Sequence, residues 1–357
     1  MVIQNISKMP TNILHSTVNN RLFRAEIGKH LQGCLTWATN SSFAYLSIVK
    51  NHINSVYIVG LGAMGSMYAA KLQDIDPGLV KIIASAERIK NYQNSAIKVN
   101  GKLYKFNYVP PGDNSCPPAD LIIVAVKSPQ LAGAINDLSG FVHDDTIVIS
   151  LLNGISSEEQ IGEKIGMKHL LFAYGVGMDA VRNGNIINYS NPGRIVFGEK
   201  NNNTLSARVL AVRELFEKAA IPHHIPTDMY KALWFKFMMN VGINQASAVL
   251  KAPYGQFQQN KEARKLMLMA AEEVVTLSHK MGIFLGQDDT NEFTRIVDGL
   301  GPEGKTSMLQ DIEAGRKSEV ELFAGTVIEL GRKYQVPPPV NETLYTIISA
   351  LETSQTT

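Results

Sequence analysis

Three groups of residues in this 357-residue chain have the types and spacing to do chemistry. The first is Gly60-Leu61-Gly62-Ala63-Met64-Gly65, a G-x-G-x-x-G pattern that follows the β-rich run Val56 to Val59 and opens a helical stretch at 64–73. That context is the one a dinucleotide-binding turn requires. Gly60 allows the tight turn, Gly62 lets the backbone approach a pyrophosphate, and Gly65 lets strand and helix pack closely, with the phosphates at the helix N-terminus. The plainer alternative, a glycine turn without a ligand, does not need the strand before it and the helix after it. At the end of the next apolar run the text reads Ala84-Ser85-Ala86-Glu87-Arg88-Ile89-Lys90. A carboxylate at that point accepts a ribose 2′-hydroxyl, whereas a cation accommodates a 2′-phosphate. Arg88 and Lys90 favour NADP, and Glu87 argues the other way.

The second group is Lys127 and Asn153, each directly after a continuous apolar run. Ligands of open parallel sheets bind outside the carboxyl ends of the strands, so Gly60, Lys127 and Asn153 are predicted to share one edge. Ordinary loop-entry residues would look the same one at a time. The third group is Lys236, Asn240 and Asn244, spaced four apart among Trp234, Phe237, Met238, Val241 and Ile243. Each four-residue step drifts by only about 40° on a helix, so the three polar residues form one stripe. An amine buried in such a surface has a lowered pKa, which suits a general acid near neutrality. A lysine snorkelling from a helix rim is the commoner meaning of Lys236 alone; the aligned asparagines tilt the reading toward a site. Further on, Ser307-Met-Leu-Gln-Asp311 opens a helix and Glu319 follows among apolar neighbours, a position where a lone glutamate usually faces solvent.

These residues need a scaffold. Leu79 to Ala84, Leu121 to Val126 and Ile147 to Leu152 are apolar without alternation, as in strands buried on both faces. Between Gly175 and Gly198, Asn183-Gly184 and Pro192-Gly193 mark turns, the first suited to a hairpin. Leu205 to Ala219 reads as helix and Ile221 to Ile225 as a short strand. From Asp228 the helical period dominates, with helices predicted at 228–250, 260–281, 289–298, 306–332 and 341–352 and no strand. The expectation is an α/β fold: a Rossmann-type dinucleotide-binding domain at 53–226, then an all-helical substrate and catalytic domain at 227–357. Residues 1–52 carry five basic residues against the single acid Glu26, with much Ser, Thr and Asn and no sustained period. They are read as a poorly ordered extension or an over-long start rather than part of the fold.

Composition narrows the class. Apolar residues are 45%, charged residues 18%, and the net charge is +2, which gives no case for nucleic acid or a membrane surface. The longest apolar runs are far short of the roughly 20 residues a membrane span needs. The two cysteines, Cys34 and Cys116, form neither a metal spacing nor a disulfide framework, so a reducing cytoplasmic setting is expected. The adjacent His223 and His224 point apart on a strand, and no metal is assigned.

With those residues in hand, the chain resembles the ketopantoate reductase (2-dehydropantoate 2-reductase) family over roughly 54–352. The anchors are Gly60 to Gly65, Val124-Ala-Val-Lys127, Leu152-Asn153-Gly154, Lys236 with Asn240 and Asn244, and Ser307-Met-Leu-Gln-Asp-Ile followed by Glu319. The resemblance implies NADPH-dependent reduction of 2-dehydropantoate or a closely related small anionic 2-keto acid, the step that makes pantoate for pantothenate and coenzyme A. It implies Lys236 as general acid, with Glu319 beside it and the nicotinamide ribose. Asn240, Asn244 and Ser307 would hold substrate, Asn153 would bridge cofactor and substrate, and Lys127 would lie by the nicotinamide. Ala180, in the Asp179-Ala-Val-Arg turn, matches a backbone contact to the cofactor. The helical domain would close over the cofactor and exclude water, and a homodimer is compatible. Two departures bear on the substrate: Asn244 is followed by Gln245-Ala246-Ser247-Ala248 where the family often has Pro-Leu-Thr-Ala, and Tyr254 stands where a further substrate-contacting asparagine is usual.

Two rival readings remain. Gly299-Leu-Gly-Pro-Glu-Gly304-Lys305-Thr306 fits the phosphate-loop pattern of phosphoryl-transfer enzymes, but it lies among predicted helices and carries Pro302 where N–H donors are needed. A non-catalytic NADP-binding sensor could keep the same fold, though it would have no use for Lys236 and Glu319.

Overall fold

A computed structural model describes residues 52–113 and 115–353. The expected N-terminal extension, with Cys34, lies outside the described residues except for His52. In chain order the first part contains β1 (Val56–Val59), α1 (Ala63–Gln73), β2 (Val80–Ile83), α2 (Ala86–Asn94), β3 (Ile97–Val99), β4 (Lys102–Tyr104), β5 (Asn107–Val109), β6 (Leu121–Val124), α3 (Leu131–Leu138), β7 (Ile147–Ser150), α4 (Ser157–Ile165), β8 (Leu170–Met178), β9 (Val181–Asn183), β10 (Ile186–Asn188), β11 (Pro192–Gly198), α5 (Ala207–Lys218) and β12 (His223–His224). The main sheet has eight strands in the order β12-β11-β8-β7-β6-β1-β2-β5. Its centre is parallel: β6 pairs with both β1 and β7 in the same direction. The turns at Gly60, Lys127 and Asn153 therefore leave neighbouring strands at one edge, as the sequence reading predicts.

The apolar runs do not alternate because both faces of the sheet are covered. Val56, Ile58, Ile123 and Ile149 enter one core, and Tyr57, Val59, Ile122, Val124 and Val148 enter the other. The Asn183-Gly184 signal is a hairpin, with Asn183 paired to Ile186 across a two-residue turn. It belongs to a small four-stranded sheet, β4-β3-β10-β9. Pro192-Gly193 is not a turn but the start of β11, with Pro192 opposite Met178. A first strand position tolerates proline, and Gly193 (φ +60) supplies the left-handed conformation where a Cβ would lie 2.5 Å from the Val176 carbonyl oxygen.

The remainder is helical: α6 (Met229–Leu250), α7 (Tyr254–Gln259), α8 (Lys261–Lys280), α9 (Gln287–Asp298), α10 (Ser307–Glu313), α11 (Thr326–Tyr334) and α12 (Pro339–Thr353). Asp228 caps α6, accepting a 2.8 Å hydrogen bond from the Lys231 amide. Met229 and Leu233, in the first turns of α6, pack with Phe172 and Val196 of the sheet, while Trp234, Phe237, Met238 and Val241 enter the helical core. One rigid element thus spans both cores, and it carries the polar stripe.

The predicted continuous helix at 306–332 is interrupted. After α10 the Gly315 amide bonds to the Ile312 carbonyl and the Arg316 amide to the Asp311 carbonyl at 2.8 Å, with Gly315 at φ +65. This glycine-terminated closure ends a helix. Residues 316–320 run without helix, and the chain resumes in a π turn, Glu321–Gly325, that leads into α11. Glu319 consequently sits in a break between helices instead of on a helix face. π turns inside helices are frequent at functional sites.

Candidate active site

The glycine turn has the shape a dinucleotide needs. A Cβ at Gly60 (φ +100) would lie 2.6 Å from the Ala125 carbonyl oxygen, and one at Gly65 would lie 2.0 Å from the Gly60 carbonyl oxygen. Neither position admits a side chain. Gly62 differs: a Cβ there would meet only the Ala125 carbonyl oxygen, at 4.0 Å. The absence of a side chain at Gly62 is therefore not required by protein packing, and it bares backbone toward the cavity. Gly62 is also the N-cap of α1, whose first turn has no side-chain cap and no acid, so its leading N–H groups are available to an anion. The Leu61 side chain is buried in the sheet core, leaving its backbone to the turn.

Two cavities flank this turn. One, of about 330 Å³, is bounded by Gly60, Ser85, Arg88, Gln130, Gly133 and Asp137 among others. Arg88 borders it and Glu87 does not. The other, of about 360 Å³, is lined by Gly62, Ala63, Met64, Lys127, Asn153, Ala180, Ser307 and Glu319, together with Met178, Gln310, Asp311 and Arg316. The backbone at Ala180 is steadied by its neighbour: the Asp179 carboxylate accepts from the Asn191 amide at 2.8 Å and from the Ser190 hydroxyl.

Across the second cavity the two parts of the chain meet in a hydrogen bond. The Asn153 amide nitrogen, at the end of β7, donates to Glu319 Oε2 at 2.9 Å. Burial raises the pKa of the Glu319 carboxyl, opposed by that hydrogen bond and by the charges of Lys127 and Lys236. Lys236 is half-buried on α6, and desolvation lowers its amine to about 8, with the Glu319 charge pulling it back up. Asn240 and Asn244 are buried, and the Asn244 amide nitrogen donates to Asn240 Oδ1 at 3.3 Å. The Ser307 hydroxyl, opening α10, donates to Asn244 Oδ1 at 3.5 Å. Lys236, Asn240 and Asn244 do not themselves line the cavity; they connect to it through Glu319 and Ser307. The arrangement can deliver a proton from a depressed-pKa amine while neutral donors hold an anion.

Tyr254 packs on the connection that leads to α10. Its amide bonds to the Gly304 carbonyl at 2.9 Å, its ring covers Gly304, and it is not among the cavity's lining residues. The phosphate-loop candidate is an interhelical connection: Gly299 caps the C-terminus of α9, no strand precedes it, and Lys305 is paired with Glu313 at 2.7 Å. Asp311, noted in the sequence only as part of the Ser307–Asp311 motif, and Arg316, which has no sequence signal, are paired at 2.7 Å and reach the cavity. The five-residue offset between them looks like surface charge until the closure at Gly315 folds one back beside the other.

A glycine-rich strand–helix turn beside a cavity that holds an amide, a half-buried carboxylate and a lysine defines a dinucleotide-type oxidoreductase. The chain belongs to the ketopantoate reductase family: residues 56–202 match "Ketopantoate reductase PanE/ApbA" and residues 228–352 match "Ketopantoate reductase PanE/ApbA C terminal". It is 26% identical over 307 residues to the 2-dehydropantoate 2-reductase of Aquifex aeolicus (strain VF5), covering 83% of this chain and 96% of that enzyme. Among solved structures, D-mandelate dehydrogenase with NADH and anilino(oxo)acetate superposes with a TM-score of 0.74 at 22% identity, covering 85% of this chain and 99% of that one. The dimeric ketopantoate reductase from Staphylococcus aureus gives 0.69 at 22% identity, covering 84% and 99%.

Proposed function

We propose that this protein reduces 2-dehydropantoate, or a closely related 2-keto acid, to the 2-hydroxy acid using NADPH, with Lys236 as the general acid. The observation that carries the reading is the Asn153–Glu319 hydrogen bond in the cavity beside the bare backbone of the Gly62 turn, with Lys236 near enough to feel the Glu319 charge. The fit of that turn to a pyrophosphate argues for a dinucleotide, and the D-mandelate dehydrogenase structure with NADH argues for a nicotinamide. Arg88, bordering the first cavity, favours the 2′-phosphorylated form.

When bound beside these residues, a nicotinamide cofactor would supply a hydride for the ketone carbon. Lys236 gives its proton to the carbonyl oxygen as negative charge develops there. Glu319 keeps Lys236 protonated near neutral pH and is itself held by Asn153. Asn240, Asn244 and Ser307 present donors to the substrate's carboxylate and hydroxyl. Lys127 would lie by the nicotinamide end of the cofactor, Ala180 would offer it a backbone contact, and the residues from Gly60 to Gly65 would hold its phosphates. The names of the curated relatives support ketopantoate as substrate. The changed text after Asn244, and Tyr254 packed against Gly304, leave the pocket wall different. We extend the proposal to a homodimer, as titled for the Staphylococcus aureus enzyme, and to a cytoplasmic setting.

A panel of 2-keto acids with NADPH tests this, followed at 340 nm. Ketopantoate or a branched 2-keto acid is expected to be reduced. Cofactor binding without turnover of any panel member would make the protein a sensor on an enzyme's fold and end the enzymatic reading.

A further inference from the structure

The first cavity holds two opposing charges. Arg88 borders it from α2, just past β2, and Asp137 borders it from α3. The two charges sense each other: burial raises the pKa of the Asp137 carboxyl, and the Arg88 guanidinium lowers it. No ion pair joins them among the described residues, so Arg88 keeps its donors while lying within reach of a carboxylate's field. On the Asp137 side the lining includes Gly133 and Ala134 of the same helix, and a Cβ at Gly133 would meet nothing within 4 Å. Room exists there for a nucleoside moiety rather than a packed side chain.

A cation at this place favours a ribose 2′-phosphate, and a carboxylate favours a free 2′-hydroxyl. This cavity is bordered by one of each. We infer that Asp137 is a second cofactor-specificity residue, acting against Arg88: it repels the 2′-phosphate that Arg88 attracts and so narrows the preference for NADPH over NADH. The inference rests on the proposed use of NADPH, and it concerns the adenosine end, remote from Lys236. Because it is Coulombic, it discriminates between cofactors that differ only by a phosphate and weakens as salt rises.

The test is calorimetric binding of NADPH and NADH, without substrate, to the wild type, Asp137→Asn and Arg88→Ala, at low salt and at 0.5 M salt. Asp137→Asn is expected to tighten NADPH by about three- to tenfold, as loss of repulsion between partly solvated charges would give. NADH affinity should stay within about twofold, and the NADPH gain should shrink at high salt. Arg88→Ala is expected to weaken NADPH selectively. Equal changes in both affinities for Asp137→Asn, whatever their sign, would assign Asp137 to adenine recognition or to folding and overturn the inference, as would no change in either. If Arg88→Ala weakens both cofactors equally, the NADPH preference drawn from Arg88 fails instead, and the Asp137 result stands or falls separately. Near-ultraviolet circular dichroism of both variants identifies any that misfold, and Asp137→Glu, which keeps the charge, should then retain wild-type selectivity.

Discussion

At the scale of single residues the proposed reaction depends on one amine. Desolvation makes the charged form of Lys236 costly and brings its pKa to about 8, while Glu319 partly restores it. A general acid must be protonated, so ketone reduction is expected to be level well below pH 8 and to fall as pH rises through it. The reverse oxidation needs the neutral amine and should rise over the same range. Glu319→Gln removes the charge that raises the Lys236 pKa, so its alkaline limb should move to lower pH. A pH–rate profile of kcat for both proteins, with a single keto acid, measures this. A limb that stays in place or moves up would detach Glu319 from Lys236. The sequence showed Lys236, Asn240 and Asn244 because helical spacing is a strong constraint on a polar stripe in apolar text. It did not show Asp137 or Arg316, since a lone charge on a short helix, or beyond a helix end, has the same spacing whether it faces solvent or a cavity.

At the scale of elements, two glycines of one turn should fail in different ways. Gly62→Ala meets no protein atom closer than 4.0 Å, so the cofactor-free protein should melt within about a degree of the wild type. Its Cβ would occupy the pyrophosphate's approach, and dinucleotide affinity should drop at least about tenfold. Gly65→Ala drives a Cβ to 2.0 Å from the Gly60 carbonyl oxygen and should destabilise the cofactor-free protein by an overpacking cost of about 1–3 kcal/mol. Thermal melts paired with NADPH titrations separate the two outcomes. If Gly62→Ala binds normally, the turn is not a dinucleotide cradle. Elements were legible where several residues share one period: the buried strands β1, β6 and β7, and the long helices α6 and α8. The three-residue strands β3, β4 and β5 and the six-residue α7 were not, because neither period repeats in so few residues. The interruption before Glu319 was signalled only by Gly315 after Ala314, and the apolar period resuming beyond it masked that signal.

At the scale of the whole molecule, the proposed reaction draws its cofactor site and its acid from different parts of the chain. The sheet edge supplies the Gly60–Gly65 turn, Lys127 and Asn153. The helical part supplies Lys236 on α6 and Glu319 in the break after α10. α6 is anchored in both cores through Met229 and Leu233 on one side and Phe237 and Val241 on the other, which fixes the amine relative to the sheet. Among the described residues no helix is long and apolar enough to cross a membrane. Division of labour between the two parts makes binding and chemistry separable, and one variant tests that claim. In Lys236→Ala, NADPH affinity measured by titration should remain within about threefold of the wild type, while the single-turnover rate of keto acid reduction falls about 10²- to 10⁴-fold, the usual contribution of a positioned general acid. Reduction at a near wild-type rate in that variant would contradict the account.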